Sequence, residues 1–151
     1  MNPRGRQVLL VRAGGRACAL PVEHVVETLR PLPVTPLAGT PGFVLGAVVV
    51  RDEAMPVVSL HAFLGDDAPE PPTRFVVIRC GPRSAVLAVR GVLGVCALEG
   101  LSSAGVPLLD SAAGGAVEQL SVADGELLLV LRTGRVVPEE AWRALAEESR
   151  T

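Results

Sequence analysis

Residue types that could catalyse a reaction or hold a metal are few and scattered in this sequence. It has two histidines, three cysteines and no tyrosine. It contains no Gly-x-Ser-x-Gly elbow, no Gly-rich phosphate loop and no His-Glu-x-x-His motif. The nearest metal-like cluster is Glu23-His24-x-x-Glu27, where a helix would put the two carboxylates on one face with His24 beside it. Zinc needs at least three fixed ligands, so a solvated polar face is the simpler interpretation. We predict no enzymatic activity, no catalytic residue and no metal site.

The three cysteines, Cys18, Cys80 and Cys96, each lie within an apolar strand-like pattern. Their number is odd, and no two of them have the short spacing of a metal or redox motif. Free cysteine is usually buried and inert. We therefore expect packed thiols in a reducing compartment, and neither disulfides nor a nucleophile.

A charged connection between two valine-rich runs offers a different chemistry. Residues 40–60 read TPGFVLGAVVVRDEAMPVVSL, in which the runs 47–50 and 57–60 are joined by RDEA. This pattern predicts a β-hairpin with Arg51 and Asp52 at its tip. Pro56 cannot donate to a strand ladder, so the second strand should start there or lie at an edge. Arginine has five donors in a fixed fork and could bind a carboxylate at such a tip, although an ordinary solvated turn residue is the alternative.

Composition limits the functional classes. The chain has 151 residues, 49% of them hydrophobic and 20% charged, with a net charge of −2, which is typical of one folded domain. No apolar run reaches the roughly 18 residues of a membrane span, and the N-terminus lacks a signal-peptide pattern. All the basic residues are arginines scattered singly. We therefore expect no binding of nucleic acid and no direct membrane binding.

Short apolar runs spaced 8–12 residues apart predict a mainly all-β fold of the barrel or sandwich class. The segment 21–29 fits either a helix or a strand. An acidic, Pro-rich break at 66–73 suggests a first β half at about 7–65 and a second at about 74–137. A C-terminal helix is predicted at about 138–148, with Ala141, Trp142 and Leu145 facing the body of the protein.

Three stretches resemble the CheW family: ALPVEHVVETL, TPGFVLGAVVVRD and MPVVSLHAFLG, followed more loosely by RFVVIRCGPRSAVLAVRGVLGVCAL. The resemblance covers nearly the whole chain, so it implies a single CheW-like domain at 1–151. It implies two small five-stranded SH3-like β-barrels packed side by side. It also implies a non-enzymatic adaptor without a cofactor, in cytoplasmic chemosensory clusters. The partners would be the cytoplasmic tip of a methyl-accepting chemoreceptor and the regulatory domain of a CheA-like histidine kinase.

The resemblance also assigns residues to partner docking. Arg51 falls on the hairpin-tip arginine of the family and Glu27 on its acidic residue, and we expect the two side chains to lie close enough to pair with each other. Both belong to the predicted partner-binding set, which is Arg51, Glu27, Asp52, Val22, Val25 and Gly46.

Three positions depart from the family pattern. Asp52 replaces a glycine, while Ser59 and Arg90 each replace an aspartate. These departures leave open an accessory adaptor that binds receptors but has weakened or lost kinase docking. A small-ligand-binding or self-assembling β-barrel module is the second alternative.

Overall fold

The computed structural model describes residues 6–66, 68–98, 115–123 and 125–148. These residues form ten strands in two five-stranded sheets, with two short 3-10 turns and two helices. The mainly β fold that the sequence predicts is confirmed. The strands are β1 (Arg6–Ala13), β2 (Arg16–Pro21), β3 (Val25–Leu29), β4 (Val44–Val50), β5 (Glu53–Ser59), β6 (Arg74–Cys80), β7 (Arg83–Val89), β8 (Gly91–Leu98), β9 (Val117–Ala123) and β10 (Glu126–Leu131). The helices are α1 (Leu60–Phe63) and α2 (Glu139–Glu148).

The two sheets do not correspond to the two halves of the sequence. One, here the central sheet, has the order β3-β6-β7-β5-β4 and uses the continuous block 25–89. The other, the terminal sheet, has the order β8-β1-β2-β10-β9 and joins both ends of the chain. The predicted division at 66–73 is therefore wrong, because this Pro-rich stretch lies inside the central block between α1 and β6. The sheet order depends on the distant parallel pairs β2–β10 and β5–β7, which no local pattern reports.

Apolar side chains form three layers, because successive residues of a strand point to opposite faces. On β6, Phe75 and Val77 point into the interior of the central sheet, whereas Val76 and Ile78 face the seam between the sheets. On β2, Ala17 and Ala19 point into the terminal sheet, and Cys18 and Leu20 face the same seam. The seam holds the largest apolar cluster, and both sheets contribute to it. The two barrels thus share a hydrophobic contact, as predicted.

The structure extends the predicted hairpin and settles the ambiguous segment. Strand β5 begins at Glu53 and lies between β4 and β7, so the prediction that it starts at Pro56 or lies at an edge is wrong. Pro56 is opposite Ala47, whose backbone N–H and C=O both bond to Thr35 on the other side. The missing backbone N–H of Pro56 therefore leaves no hydrogen bond to β4 unmade. The ambiguous segment is a 3-10 turn at Val22–His24 followed by strand β3.

Helix α2 packs on the body of the protein as its apolar stripe predicts. Ala141 is fully buried, Trp142 is partly buried against the seam cluster, and Leu145 is partly buried. The guanidinium carbon of Arg83 lies 4.1 Å from the centroid of a Trp142 ring, within the range of a cation–π contact. No helix among the described residues is long and apolar enough to cross a membrane.

The cysteines are unpaired, and their burial varies with position. Cys18 and Cys80 are buried, whereas Cys96 is only partly buried. Burial raises the pKa of the Cys18 thiol to about 12 and that of Cys80 to about 11. Because the reactive form is the thiolate, Cys18 and Cys80 are packed apolar groups, as the sequence predicts.

Candidate docking surface

Arg51 and Asp52 form a two-residue turn between β4 and β5. Val50 pairs with Glu53, so the two residues alone connect the strands. Both have positive φ, 49° for Arg51 and 67° for Asp52, as in a type I′ turn. Asp is among the residues that tolerate this region, so the turn forms without a glycine at its second position. The strand twist and the tight turn carry the Arg51 side chain outward from the hairpin.

Arg51 holds Glu27 through two parallel hydrogen bonds. Nε donates to Oε2 at 2.9 Å and Nη2 donates to Oε1 at 2.8 Å, which is the bidentate geometry of a strong charge-assisted pair. The Arg51 side chain is 78% exposed and that of Glu27 is 23% exposed. The donated bonds hold the pKa of Glu27 below its ordinary value and raise the pKa of Arg51. The predicted proximity of Arg51 and Glu27 is confirmed.

The pair joins the two edges of the central sheet. Glu27 lies in β3 and Arg51 follows β4, and these strands are at opposite edges of the sheet order. The segment after β3 also reaches β4, where Thr35 and Ala47 form an isolated bridge. Arg51 and Glu27 therefore lie where the barrel closes, which fixes their position relative to each other without removing Arg51 from solvent.

Two exposed valines precede Glu27 in the chain, and one of them, Val26, shares a groove with the pair. Val22 in the 3-10 turn is 37% exposed and Val26 is 45% exposed, while Val25 is partly buried against the seam cluster. The register of β3 shifts between Val25 and Glu27, so Val26 is the extra residue of a β-bulge and turns outward. Val26 was not among the residues predicted from the sequence, although the two consecutive valines, which break the strand alternation, indicated a bulge here. Val22 is exposed, as expected of a docking residue, but Val25 is only partly exposed because it packs against the seam cluster.

Gly46 has a backbone role, and its assignment to the docking surface is corrected. It is buried, with φ of 145°, and a Cβ built on it would lie 2.1 Å from the carbonyl oxygen of Thr35. Only glycine lets the Thr35 segment approach β4 closely enough to make its two backbone hydrogen bonds, of 2.7 and 2.8 Å. Gly46 thus shapes the barrel and offers no side chain to a partner.

A shallow groove of about 230 Å³ runs beside the Arg51–Glu27 pair. Val26, Glu27, Arg51 and Glu53 are among its lining residues. Asp52 and Glu53 are exposed next to Arg51, so two carboxylates accompany the single guanidinium at the tip. We call the surface formed by Val22, Val26, Glu27, Arg51 and Asp52 the tip surface. Its exposed apolar residues beside a bidentate ion pair suit contact with another protein, since Arg and apolar anchors carry much of the energy of such interfaces.

The metal-like cluster does not assemble. Both carboxylate oxygens of Glu27 accept hydrogen bonds from Arg51, and Glu23 lies 4.0 Å from Nε of Arg6. The described residues contain no group of three His, Cys, Asp or Glu side chains that could hold a metal ion.

Comparisons with known proteins give a consistent result. The chain matches the family model of the CheW-like domain over residues 7–141. It is 32% identical over 83 residues to the chemotaxis protein CheW of Rhizobium meliloti (strain 1021), covering 55% of this chain and 54% of that protein. It is 37% identical over 86 residues to the protein FrzA of Myxococcus xanthus, covering 56% and 54%. The chain thus spans about half the length of the curated relatives it matches.

The fold has a solved counterpart. The crystal structure of the scaffolding protein TtCheW from Thermoanaerobacter tengcongensis superimposes with a TM-score of 0.74 at 19% sequence identity. The match covers 85% of this chain and 89% of that one. At this identity the similarity concerns the fold, and it agrees with the two packed barrels described above.

Proposed function

Because the chain belongs to the CheW-like domain family, we propose that it is a non-enzymatic adaptor of a cytoplasmic chemosensory cluster. In this role it couples methyl-accepting chemoreceptors to a CheA-type histidine kinase through protein–protein contacts. The tip surface supplies one of these contacts. The observation that carries the proposal is the bidentate Arg51–Glu27 pair at an exposed turn, with the exposed side chain of Val26 in the same groove.

The pair suits an exchange of partners. Arg51 is largely solvated, so its hydrogen bonds to Glu27 add little to folding stability and can be replaced at small cost. A carboxylate on a partner could take over the guanidinium, while Val22 and Val26 bury apolar area around it. Desolvation at the centre of an interface makes such a charge pair stronger than it is in water. Arg51 is then the anchor, and Glu27 holds its guanidinium ready in the free protein.

Asp52 favours a specialised version of this adaptor, in which kinase docking is weakened and receptor binding is kept. Its exposed carboxylate lies next to Arg51 in the turn, and Glu53 adds a second negative charge. A partner surface built to receive a lone cation meets less attraction at such a tip, and approaching carboxylates meet repulsion. The family glycine at this position would add no charge.

The test compares Arg51→Ala and Asp52→Gly in binding to a chemoreceptor cytoplasmic fragment and to a kinase regulatory domain, by titration calorimetry. Arg51→Ala should weaken binding of at least one partner by more than about 1 kcal/mol. Asp52→Gly should strengthen kinase binding, because it removes a neighbouring negative charge and suits the positive φ. Arg16→Ala, an exposed arginine of the other sheet, is the matched control and should change neither affinity.

Two results would contradict the proposal. If neither partner binds the wild-type chain, the adaptor function is wrong. If both partners bind but Arg51→Ala and Asp52→Gly leave every affinity unchanged, the tip surface is not a docking site. Strong receptor binding with weak kinase binding, increased by Asp52→Gly, would identify the accessory form of the adaptor.

A further inference from the structure

A second polar cluster lies around the Pro-rich connection between α1 and β6. A cavity of about 490 Å³ is lined there by Ser59, His61, Glu70 and Arg90, together with apolar residues such as Phe43. Ser59 and Arg90 are two of the positions at which the sequence departs from the family pattern. The function proposed above uses none of these side chains.

Glu70 contacts structures that belong to both sheets. Its Oε2 accepts a hydrogen bond from the backbone N–H of Gly14 at 3.0 Å, in the turn between β1 and β2 of the terminal sheet. Its Oε1 lies 3.4 Å from Nη1 of Arg90, at the corner where the chain passes from β7 to β8 and so from one sheet to the other. The N–H of Arg90 donates to the carbonyl of Arg12 in β1 at 2.8 Å. One carboxylate therefore bridges the two barrels.

His61 attaches the same connection to the central sheet. Its Nε2 lies 2.9 Å from the carbonyl oxygen of Ala68, and because a carbonyl can only accept, Nε2 carries a proton. Its Nδ1 lies 3.2 Å from Oγ of Ser59 and 3.9 Å from Oε2 of Glu70. The side chains of His61 and Glu70 are both mostly buried, so their interaction is weakly screened.

This geometry makes the Glu70 contact sensitive to the charge of His61. In the neutral ring with a proton on Nε2, Nδ1 presents a lone pair to the Glu70 carboxylate, and the Ser59 hydroxyl donates to that lone pair. In the protonated ring, Nδ1 carries a positive charge toward Glu70. Among the described residues, the other charged groups that line this cavity are Arg90, which pairs with Glu70, and Asp66. Protonation of His61 thus adds attraction to a carboxylate that already holds Gly14.

We propose that Glu70 is a positioning residue that clamps the terminal sheet to the central sheet, and that protonation of His61 tightens this clamp. The clamp fixes how the two barrels sit against each other at the end of the seam. The clamp uses none of the residues of the tip surface.

The experiment measures amide hydrogen exchange at Gly14 by NMR in the full chain between pH 5 and 8, where histidines commonly change charge. Rates are expressed as protection factors, so that the intrinsic effect of pH is removed. In the wild type, protection of Gly14 should rise about two- to fivefold as the pH falls through this range, which is the effect of one partly exposed ion pair. His61→Gln and Glu70→Gln should each abolish the rise; Glu70→Gln keeps an oxygen that can accept from Gly14 but loses the charge.

His24→Gln is the matched control, because His24 is the other histidine of the chain and lies outside the cluster. It should keep the wild-type pH profile. If Glu70 had a purely structural role, replacing it would lower the protection of Gly14 equally at every pH. A flat wild-type profile, or a rise that survives in either His61→Gln or Glu70→Gln, would overturn the proposal. Because the readout uses the free protein, this result is independent of whether any partner binds.

Discussion

Replacing Gly46 by alanine should destabilise the protein strongly, because the new side chain would clash with the Thr35 backbone. The new Cβ would lie 2.1 Å from the carbonyl oxygen of Thr35 and 2.8 Å from a methyl carbon of Val34. Relief requires the Thr35 segment to move away from β4, which breaks the two backbone hydrogen bonds to Ala47. Each bond contributes about 0.5–1.5 kcal/mol net. The φ of 145° costs a non-glycine residue about 1–3 kcal/mol more.

These contributions together predict a loss of about 2–6 kcal/mol in the free energy of unfolding. Urea denaturation followed by the fluorescence of Trp142, the single tryptophan, measures it directly. Two other glycines separate the causes. Gly39 has φ of 77° with nothing within 4 Å of its Cβ position, so Gly39→Ala should cost only the backbone strain, about 1–2 kcal/mol. Gly42 has neither constraint, and Gly42→Ala should stay within about 0.5 kcal/mol of wild type.

The order of the three variants is the decisive result. If Gly46→Ala costs no more than Gly39→Ala, then the Thr35 segment does not need its close approach to β4 and the reasoning on barrel closure is refuted. If Gly46→Ala is folded and destabilised as predicted, its effect on partner binding should be no larger than its effect on the folded fraction. A specific loss of binding in a fully folded Gly46→Ala protein would restore this residue to the docking surface.

Three further outcomes are expected. Arg51 holds the pKa of Glu27 below its ordinary value of 4.5, so the pair stabilises the fold above that pH, and this stabilisation is lost as the pH falls through the lowered pKa. Arg51→Ala should raise the pKa of the Glu27 carboxyl toward 4.5 in a carbon NMR titration. An unchanged pKa would contradict the bidentate pair. Iodoacetamide should alkylate Cys96 well before Cys18 in the native protein, because Cys18 is buried and its thiol pKa is raised to about 12. Equal alkylation rates by mass spectrometry would contradict the burial of Cys18. Trp142→Ala should lower the free energy of unfolding by about 2–3 kcal/mol, because the half-buried ring packs on the seam. A change under about 0.5 kcal/mol in chemical denaturation would mean that the Trp142 ring does not anchor α2.

Local patterns in the sequence were sufficient for several parts of this protein. The β-branched runs before and after Arg51-Asp52 predicted the hairpin, because strand propensity and turn chemistry depend on neighbouring residues. The stripe of Ala141, Trp142 and Leu145 predicted which face of α2 would be buried, since a helix repeats every 3.6 residues. The valine pair in β3 held a signal for the bulge at Val26 that the alternation rule could have detected.

The sequence also predicted correctly that opposite charges meet at the hairpin tip, but it gave only the residue types and not the geometry of their contact. An arginine at a turn and a glutamate 24 residues earlier were expected to meet, and they do so through two hydrogen bonds. Gly46 was assigned to docking because a glycine in a motif does not reveal what approaches it. Its role depends on the Thr35 backbone, which lies next to it only in the folded barrel.

What the amino-acid sequence by itself determined, then, is the β class of the fold, the C-terminal helix and the hairpin tip, all of which follow from residues close together in the chain. The tertiary structure decided which strands share a sheet. The parallel pairs β2–β10 and β5–β7 join distant segments, and they make the central block one barrel and the two ends of the chain the other. The same long-range pairing brings Gly14, His61, Glu70 and Arg90 to one cluster. No local propensity encodes such neighbours, because their proximity is a property of how the whole chain buries its apolar faces along the seam.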